Sequence, residues 1–200
     1  MKSDPDRALV EACQAASPGG LDGPFRNLYD QYKDRVYNVC YRITGNATDA
    51  LDASQETFGI MFRKIGEFRF ESKLSSWVYR IAVNASIDMK RRQSARWLSS
   101  LEGAEARTDR PRPEPDDDRT EAPIAAASRR ELELEIQRAI SRLSPKMRAI
   151  TVLRYVENLS YEEISETLQV SIGTVKSRLS RAHEALDREL TPVLDKYFLG

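Results

Sequence analysis

The chain has 200 residues, 40% of them hydrophobic and 31% charged, and its 31 basic residues are matched by 31 acidic ones. That length gives one large or two small domains, and zero net charge excludes bulk coating of nucleic acid while leaving room for local basic patches. No apolar run approaches a membrane span and the start does not read as a signal peptide, so a cytoplasmic protein with no membrane insertion is expected.

Residues 6–16 read as a short helix with Leu9, Val10 and Cys13 on one side, followed by the breaker SPGGLDGP at 17–24. From Phe25 a longer helix runs towards Ile43, its apolar residues spaced alternately three and four apart. Gly45–Asn46 ends it, and Thr48 or Asn46 can cap the next helix, which reaches about Ile65. Leu51, Ser54, Phe58, Met61, Phe62 and Ile65 form its expected inner stripe, while Asp49, Asp52, Gln55 and Glu56 lie early and outward. Acids near a helix N-terminus also simply favour the dipole. The two cysteines, Cys13 and Cys40, lack metal-ligand spacing and sit among apolar neighbours, so buried reduced thiols are expected. One histidine, His183, leaves little for a metal site or histidine catalysis, so no cofactor and no enzyme activity are expected.

Residues 66–76 are predicted as a loop carrying Phe68 and Phe70, and a helix follows from about Ser75 to Gln93. Between Lys73 and Trp97 stand six basic residues and one acid, Asp88. Rings beside a basic stripe suit single-stranded nucleic acid, where bases stack and cations follow phosphates. Core aromatics beside a solvated face are the plainer alternative.

Residues 102–123 hold four prolines, eight acids and four bases, with almost no large apolar side chain. This composition reads as a flexible acidic linker, about 70 Å long if fully extended. We therefore expect an all-α chain of two small helical domains, 1–97 and 128–200, joined by a linker at 98–127.

The second domain opens with a helix carrying Leu132, Ile136, Ala139, Ile140 and Leu143, and Ser144–Pro145 starts another. Next, Ser160 and Glu163 make a capping box, with Leu159 and Ile164 as its staple. Gln169–Ser171 form a turn, and Ser171 can cap a second helix whose inner face is Ile172, Val175, Leu179, Ala182 and Leu186. Its outer face carries Thr174, Lys176, Ser177, Arg178, Ser180 and Arg181, and Thr191–Pro192 is expected to interrupt it further on. Two short helices, a three-residue turn and a basic outer face make a helix-turn-helix. Arg178 and Arg181 can fork onto guanine edges or phosphates, Lys176 suits phosphate, and Gly173 and Thr174 lie where backbone N–H groups are free.

Two stretches together now resemble one family. FRNLYDQYKDRVYNVCYRITGNATDALDASQETF, followed by SSWVYRIAVNASIDMKRRQ, resembles domain 2 of bacterial sigma-70-type sigma factors. LSPKMRAITVLRYVENLSYEEISETLQVSIGTVKSRLSRAHEAL resembles their domain 4, and only a linker lies between, as in the small extracytoplasmic-function (ECF) group. The resemblance implies promoter-specific transcription initiation with core RNA polymerase, on promoter DNA that is both duplex and single-stranded. It implies that Asp49, Asp52, Gln55 and Glu56 dock the clamp helices of the polymerase β′ subunit. It implies that Phe68, Phe70, Lys73, Asn84, Asp88, Arg91 and Arg92 melt and read the minus-ten element. Gly173, Thr174, Lys176, Ser177, Arg178, Ser180 and Arg181 would read the minus-35 element, and domain 4 would hold the β flap. The linker would thread the RNA exit path, and an anti-sigma factor is a further implied partner. Ser180 and His183 depart from the bulkier or cationic residues of many members. A response regulator with the same helix-turn-helix would need strand–helix alternation within residues 1–97, which is absent from the pattern, and a helical carboxylate metal site would need Glu-x-x-His pairs.

Overall fold

The computed structural model describes residues 6–16, 22–101 and 123–198. Their elements are α1 (Arg7–Ala15), α2 (Asp22–Thr44), α3 (Ala47–Lys64), a 3-10 turn (Ile65–Glu67), α4 (Leu74–Leu101), α5 (Pro123–Arg142), α6 (Pro145–Tyr155), α7 (Tyr161–Leu168) and α8 (Ile172–Phe198). No strand occurs among the described residues, so the all-α expectation holds. Nor is any of their helices long and apolar enough to cross a membrane. The acidic stretch 102–122, with its expected path through the polymerase, lies outside the described residues.

In the N-terminal domain α2, α3 and α4 pack on one another around Leu28, Tyr32, Val36, Ile43, Met61, Leu74 and Val78, all fully buried. Asp22–Thr44 starts three residues before Phe25, because Pro24 in a first turn has no N–H to lose. Asn46, not Thr48, caps α3: its side chain accepts from the Asp49 N–H at 2.7 Å. The inner face of α3 differs from the expected stripe. Ala50, Ala53, Ser54, Thr57 and Met61 are buried, whereas Leu51 is 51% and Phe62 39% exposed. Mostly small side chains let α3 approach α2 and α4 closely, and the bulky ones are displaced to the flanks. Helix α4 continues eight residues past Gln93, since SARWLSSL contains good helix formers and no breaker before Gly103. Cys13 and Cys40 are buried and free, with burial pushing both thiols up in pKa.

In the C-terminal domain Ile150, Leu153, Ile164, Val175 and Leu179 form the core of α6, α7 and α8. Contrary to the expected break, α8 runs through Pro192. Proline removes one N–H from the ladder there and frees the Arg188 carbonyl, but that turn faces solvent, where water satisfies it.

The two domains touch. α2 lies against α5 and α6, and α4 against α7. The buried guanidinium of Arg148 gathers the carbonyls of Ile140, Ser141 and Leu143 from its own domain and that of Ile43 from the end of α2. A cation at a helix C-terminus meets the negative end of the macrodipole. Gln137 and Arg42 exchange two further hydrogen bonds at that end, at 3.1 and 3.4 Å. Burial and the charge of Arg148 push the Lys90 pKa down while Asp49 pulls it up.

Candidate nucleic-acid interface

The helix-turn-helix forms as its residues predict. Ser160 Oγ accepts from the Glu163 N–H at 3.1 Å, and Glu163 Oε2 accepts from the Ser160 N–H at 2.9 Å. Gln169 ends α7 in the left-handed conformation, with φ 52°. Ser165 Oγ donates to the Val170 carbonyl at 2.6 Å and closes the turn. Ser171 Oγ then accepts from the Thr174 N–H at 3.1 Å and caps α8. Val175, Leu179 and Ala182 are buried, but Ile172 is 39% exposed, because the first turn of α8 projects beyond the core.

That geometry leaves Gly173, Lys176, Ser177, Ser180 and Arg181 exposed and Thr174 and Arg178 half-buried. Ser177 donates to the Thr174 carbonyl at 3.1 Å and Ser180 to Glu184 at 3.4 Å, so both hydroxyls are already engaged along the helix. Lys176, Arg178 and Arg181 make no ion pair or side-chain hydrogen bond among the described residues, which leaves their donors for an outside acceptor. A Cβ at Gly173 would meet only Ser171 Oγ, at 3.8 Å, so packing does not require glycine there. His183, one turn on, bonds the Tyr155 hydroxyl on the same side of the domain.

The N-terminal candidates divide into three groups. Phe68 is buried, edge-on to Phe70 with centroids 5.2 Å apart and tilted on Trp77 at 5.4 Å. Phe70 is half-buried and has φ 55°, a left-handed conformation uncommon for an aromatic residue. On α4, Asn84, Arg91 and Arg92 are exposed and Asp88 is half-buried, spaced along one side. Asp88 pairs with Arg91 at 3.2 Å, and Arg92 reaches Glu56 on α3 at 3.5 Å. On α3, Asp52 and Gln55 are exposed beside Leu51, while Asp49 is tied to Asn46 at the cap. The structure therefore joins Glu56 to the α4 group and leaves Asp52, Gln55 and Leu51 as one acidic and apolar edge.

The contacts of Lys73 were not visible in the sequence. Its ammonium donates to Glu163 Oε1 at 2.5 Å, from the loop of one domain to the capping box of the other. That bond and the Ser160 N–H hold the Glu163 carboxyl below the usual carboxylate range. Beside it the buried Tyr79 hydroxyl donates to Glu157, whose side chain is 6% exposed and lies 4.0 Å from Arg35. Burial and Glu157 push the Tyr79 phenol up in pKa. Between the domains a cleft of ≈ 540 Å³ is lined by Phe68, Arg69, Trp77 and Arg80 on one side and by Glu166 and Gln169 on the other. No local pattern marks Glu157, Tyr79 or Arg148, because each acts on a residue of the other domain.

Comparison with known proteins bears on both domains. Residues 28–96 match Sigma-70 region 2, and residues 133–186 match Sigma-70, region 4. The ECF RNA polymerase sigma factor SigW of Bacillus subtilis is 37% identical over 173 residues, covering 86% of this chain and 91% of that protein. Among solved structures, the sigma factor RpoE in complex with the anti-sigma factor NepR from Bartonella quintana superposes with a TM-score of 0.64 at 21% identity, over 84% of this chain and 96% of that one. CnrH in complex with the cytosolic domain of CnrY gives 0.66 at 20% identity, over 94% and 97%.

Proposed function

The chain belongs to the sigma-70 family, in its ECF group, and directs promoter-specific transcription initiation; we propose that its work is divided between an α8 face that reads duplex DNA and an α4-and-loop face that opens it. The observation that carries this division is the unpaired basic face of α8 on a capped, rigid helix-turn-helix. Side chains held on a helix of fixed entry angle suit the major groove, where base edges are distinguishable. Arg181 is the base reader and Lys176 a phosphate anchor. Phe70, Lys73 and the Asn84–Arg92 side of α4 take the separated minus-ten strand, on which a base leaves the stack. The cleft lined by Phe68, Trp77 and Arg80, with its ≈ 540 Å³, has the volume to take a base.

Asp52, Gln55 and Leu51 supply the contact to the basic clamp helices of core polymerase: charge steers the encounter and the apolar side chain is covered on docking. Asp49 and Glu56 shape that edge through Asn46 and Arg92. Domain 4 holds the β flap, and the chain acts in the cytoplasm, supplying specificity without chemistry of its own. An anti-sigma factor is the expected regulator, supported by the resemblance to the sigma factor RpoE, solved with the anti-sigma factor NepR bound.

Run-off transcription with core polymerase and genomic fragments tests the reading, because it recovers the promoters as well. Discrete starts that depend on the protein are expected; none from any fragment overturns it. Asp52→Lys with Gln55→Lys is expected to abolish co-elution with core while leaving the circular-dichroism spectrum unchanged, since both side chains are exposed and surface charges contribute little to folding.

A further inference from the structure

Helix α1 lies outside the Sigma-70 region 2 match, which begins at residue 28. Its attachment to the domain is ordinary: Val10 and Cys13 are buried against the core. Asp6, in the N-cap position, makes no side-chain cap; its carboxylate accepts instead from Gln31 Nε2 at 2.5 Å and from the Tyr32 hydroxyl. Those contacts suffice to seat the helix on α2.

Two further side chains of α1 lie on the outside and reach elsewhere. Gln14 Nε2 donates to the Phe68 carbonyl at 2.8 Å and to the Ile65 carbonyl at 3.3 Å. It thereby joins both ends of the turn that leads into the loop. Arg7 places its guanidinium carbon 4.6 Å from the centroid of the Phe70 ring, and Glu11 orients it through a 2.7 Å bond. Phe70 is the loop residue with φ 55°. A side chain in that region is under strain and persists only where its surroundings over-determine it. Here the backbone before it is fastened by Gln14, and its ring is clamped between Arg7 and Phe68.

We propose that α1 belongs to the promoter-opening apparatus: Gln14 and Arg7 are positioning residues that hold the 68–73 loop with Phe70 presented to the separated strand. The inference rests on the loop's role in opening stated above. The donors of Gln14 pre-pay the ordering of the loop, so that strand capture does not have to supply it. Arg7 acts on Phe70 through the face of the ring. Neither residue touches DNA in this scheme.

The test uses the full chain with core polymerase on a promoter recovered by run-off transcription, as ordinary duplex and as the same fragment already melted over the minus-ten element. Gln14→Met keeps the length and removes the donors; Gln14→Lys keeps a donor. Gln14→Met is expected to slow open-complex formation on duplex about tenfold. On the pre-melted fragment, and in affinity for core, it should stay within about twofold, and Gln14→Lys should recover most of the duplex rate. Arg7→Met, at an exposed position, should slow opening in the same template-dependent way by about threefold, and it carries the test if Gln14→Met lowers the melting temperature. Phe70→Ala separates the two layers of argument. If Phe70→Ala opens duplex normally, the loop's role is wrong. If Phe70→Ala is impaired while both α1 variants open duplex at the wild-type rate, the loop's role stands and α1 is only a core helix.

Discussion

The two faces proposed to meet nucleic acid are built in opposite ways. The α8 face is local: cap, turn, buried stripe and cations all fall between Ser160 and Arg181, and the cations stand free of partners among the described residues. The N-terminal face is assembled from α1, the 68–73 loop and α4, and part of it is already met by acids of the other domain, Glu163 on Lys73 and Glu157 on Tyr79. A local face works as soon as its helix forms. An assembled face depends on everything that holds its pieces, and DNA reaching Lys73 has to displace a carboxylate that is well placed and well bonded.

The largest expected effect strikes the contact between the domains. Arg148→Ala removes the donors of four carbonyls, some of them buried, and should lower the unfolding free energy by about 3 kcal/mol. Urea denaturation checks it, and a loss under about 1 kcal/mol would mean water serves those carbonyls as well as the guanidinium does.

Next comes the α8 face itself. Arg181→Ala should weaken minus-35 binding by about 1–3 kcal/mol and flatten preference at one base position. Lys176→Ala should weaken all sequences alike and reduce the salt slope by about one unit. A scan of minus-35 variants reads both. Uniform losses from both substitutions would make α8 a phosphate grip, and the local face would then not be a reader at all.

Glu163→Gln sharpens the comparison from the other side. It leaves the hydrogen-bonding shape of the capping box but removes the charge facing Lys73. The folded carboxyl lies below its ordinary 4.5, so its charge stabilises the fold above that value, and the contribution is lost as pH falls through the folded pKa. Wild type and Glu163→Gln should therefore differ in melting temperature at pH 7 and converge as pH falls through the folded pKa of Glu163; a gap that persists in stronger acid would assign the effect to the cap geometry. Strand binding by the N-terminal face should rise modestly in the variant at neutral pH, since DNA no longer competes with the Glu163 charge for Lys73.

The smallest effect is Gly173→Ala. Space is available and α8 is helical there, so stability should rise by about 0.5 kcal/mol. If a phosphate approaches this first turn closely, DNA affinity should fall although the protein is firmer. A gain in both would show that the backbone at Gly173 is not a contact.

Much of the domain-4 half was legible because its signals lie within a few residues of one another. A serine three residues before a glutamate, and a stripe at three-four spacing, specify hydrogen bonds and a buried face without reference to distant parts of the chain. The same periodicity misled at α3. It marks where apolar residues recur, but which neighbouring face is buried depends on how closely α2 and α4 approach, and the small residues Ala50, Ala53 and Thr57 won that place over Leu51 and Phe62. Pro192 misled for a related reason, since a single missing N–H stops a helix only where solvent cannot serve the carbonyl it frees.

By itself, then, the sequence determined the helices, the caps, the helix-turn-helix with its basic face, the buried thiols and the family. Tertiary structure alone decided the partners of the polar groups that reach beyond their own helix. Lys73 meets Glu163, Tyr79 meets Glu157, Arg148 meets Ile43 and Gln14 meets Phe68 across separations of 90, 78, 105 and 54 residues. Helical periodicity describes one helix at a time, and a hydrogen bond between residues so far apart exists only once the packing of the helices has set the distance.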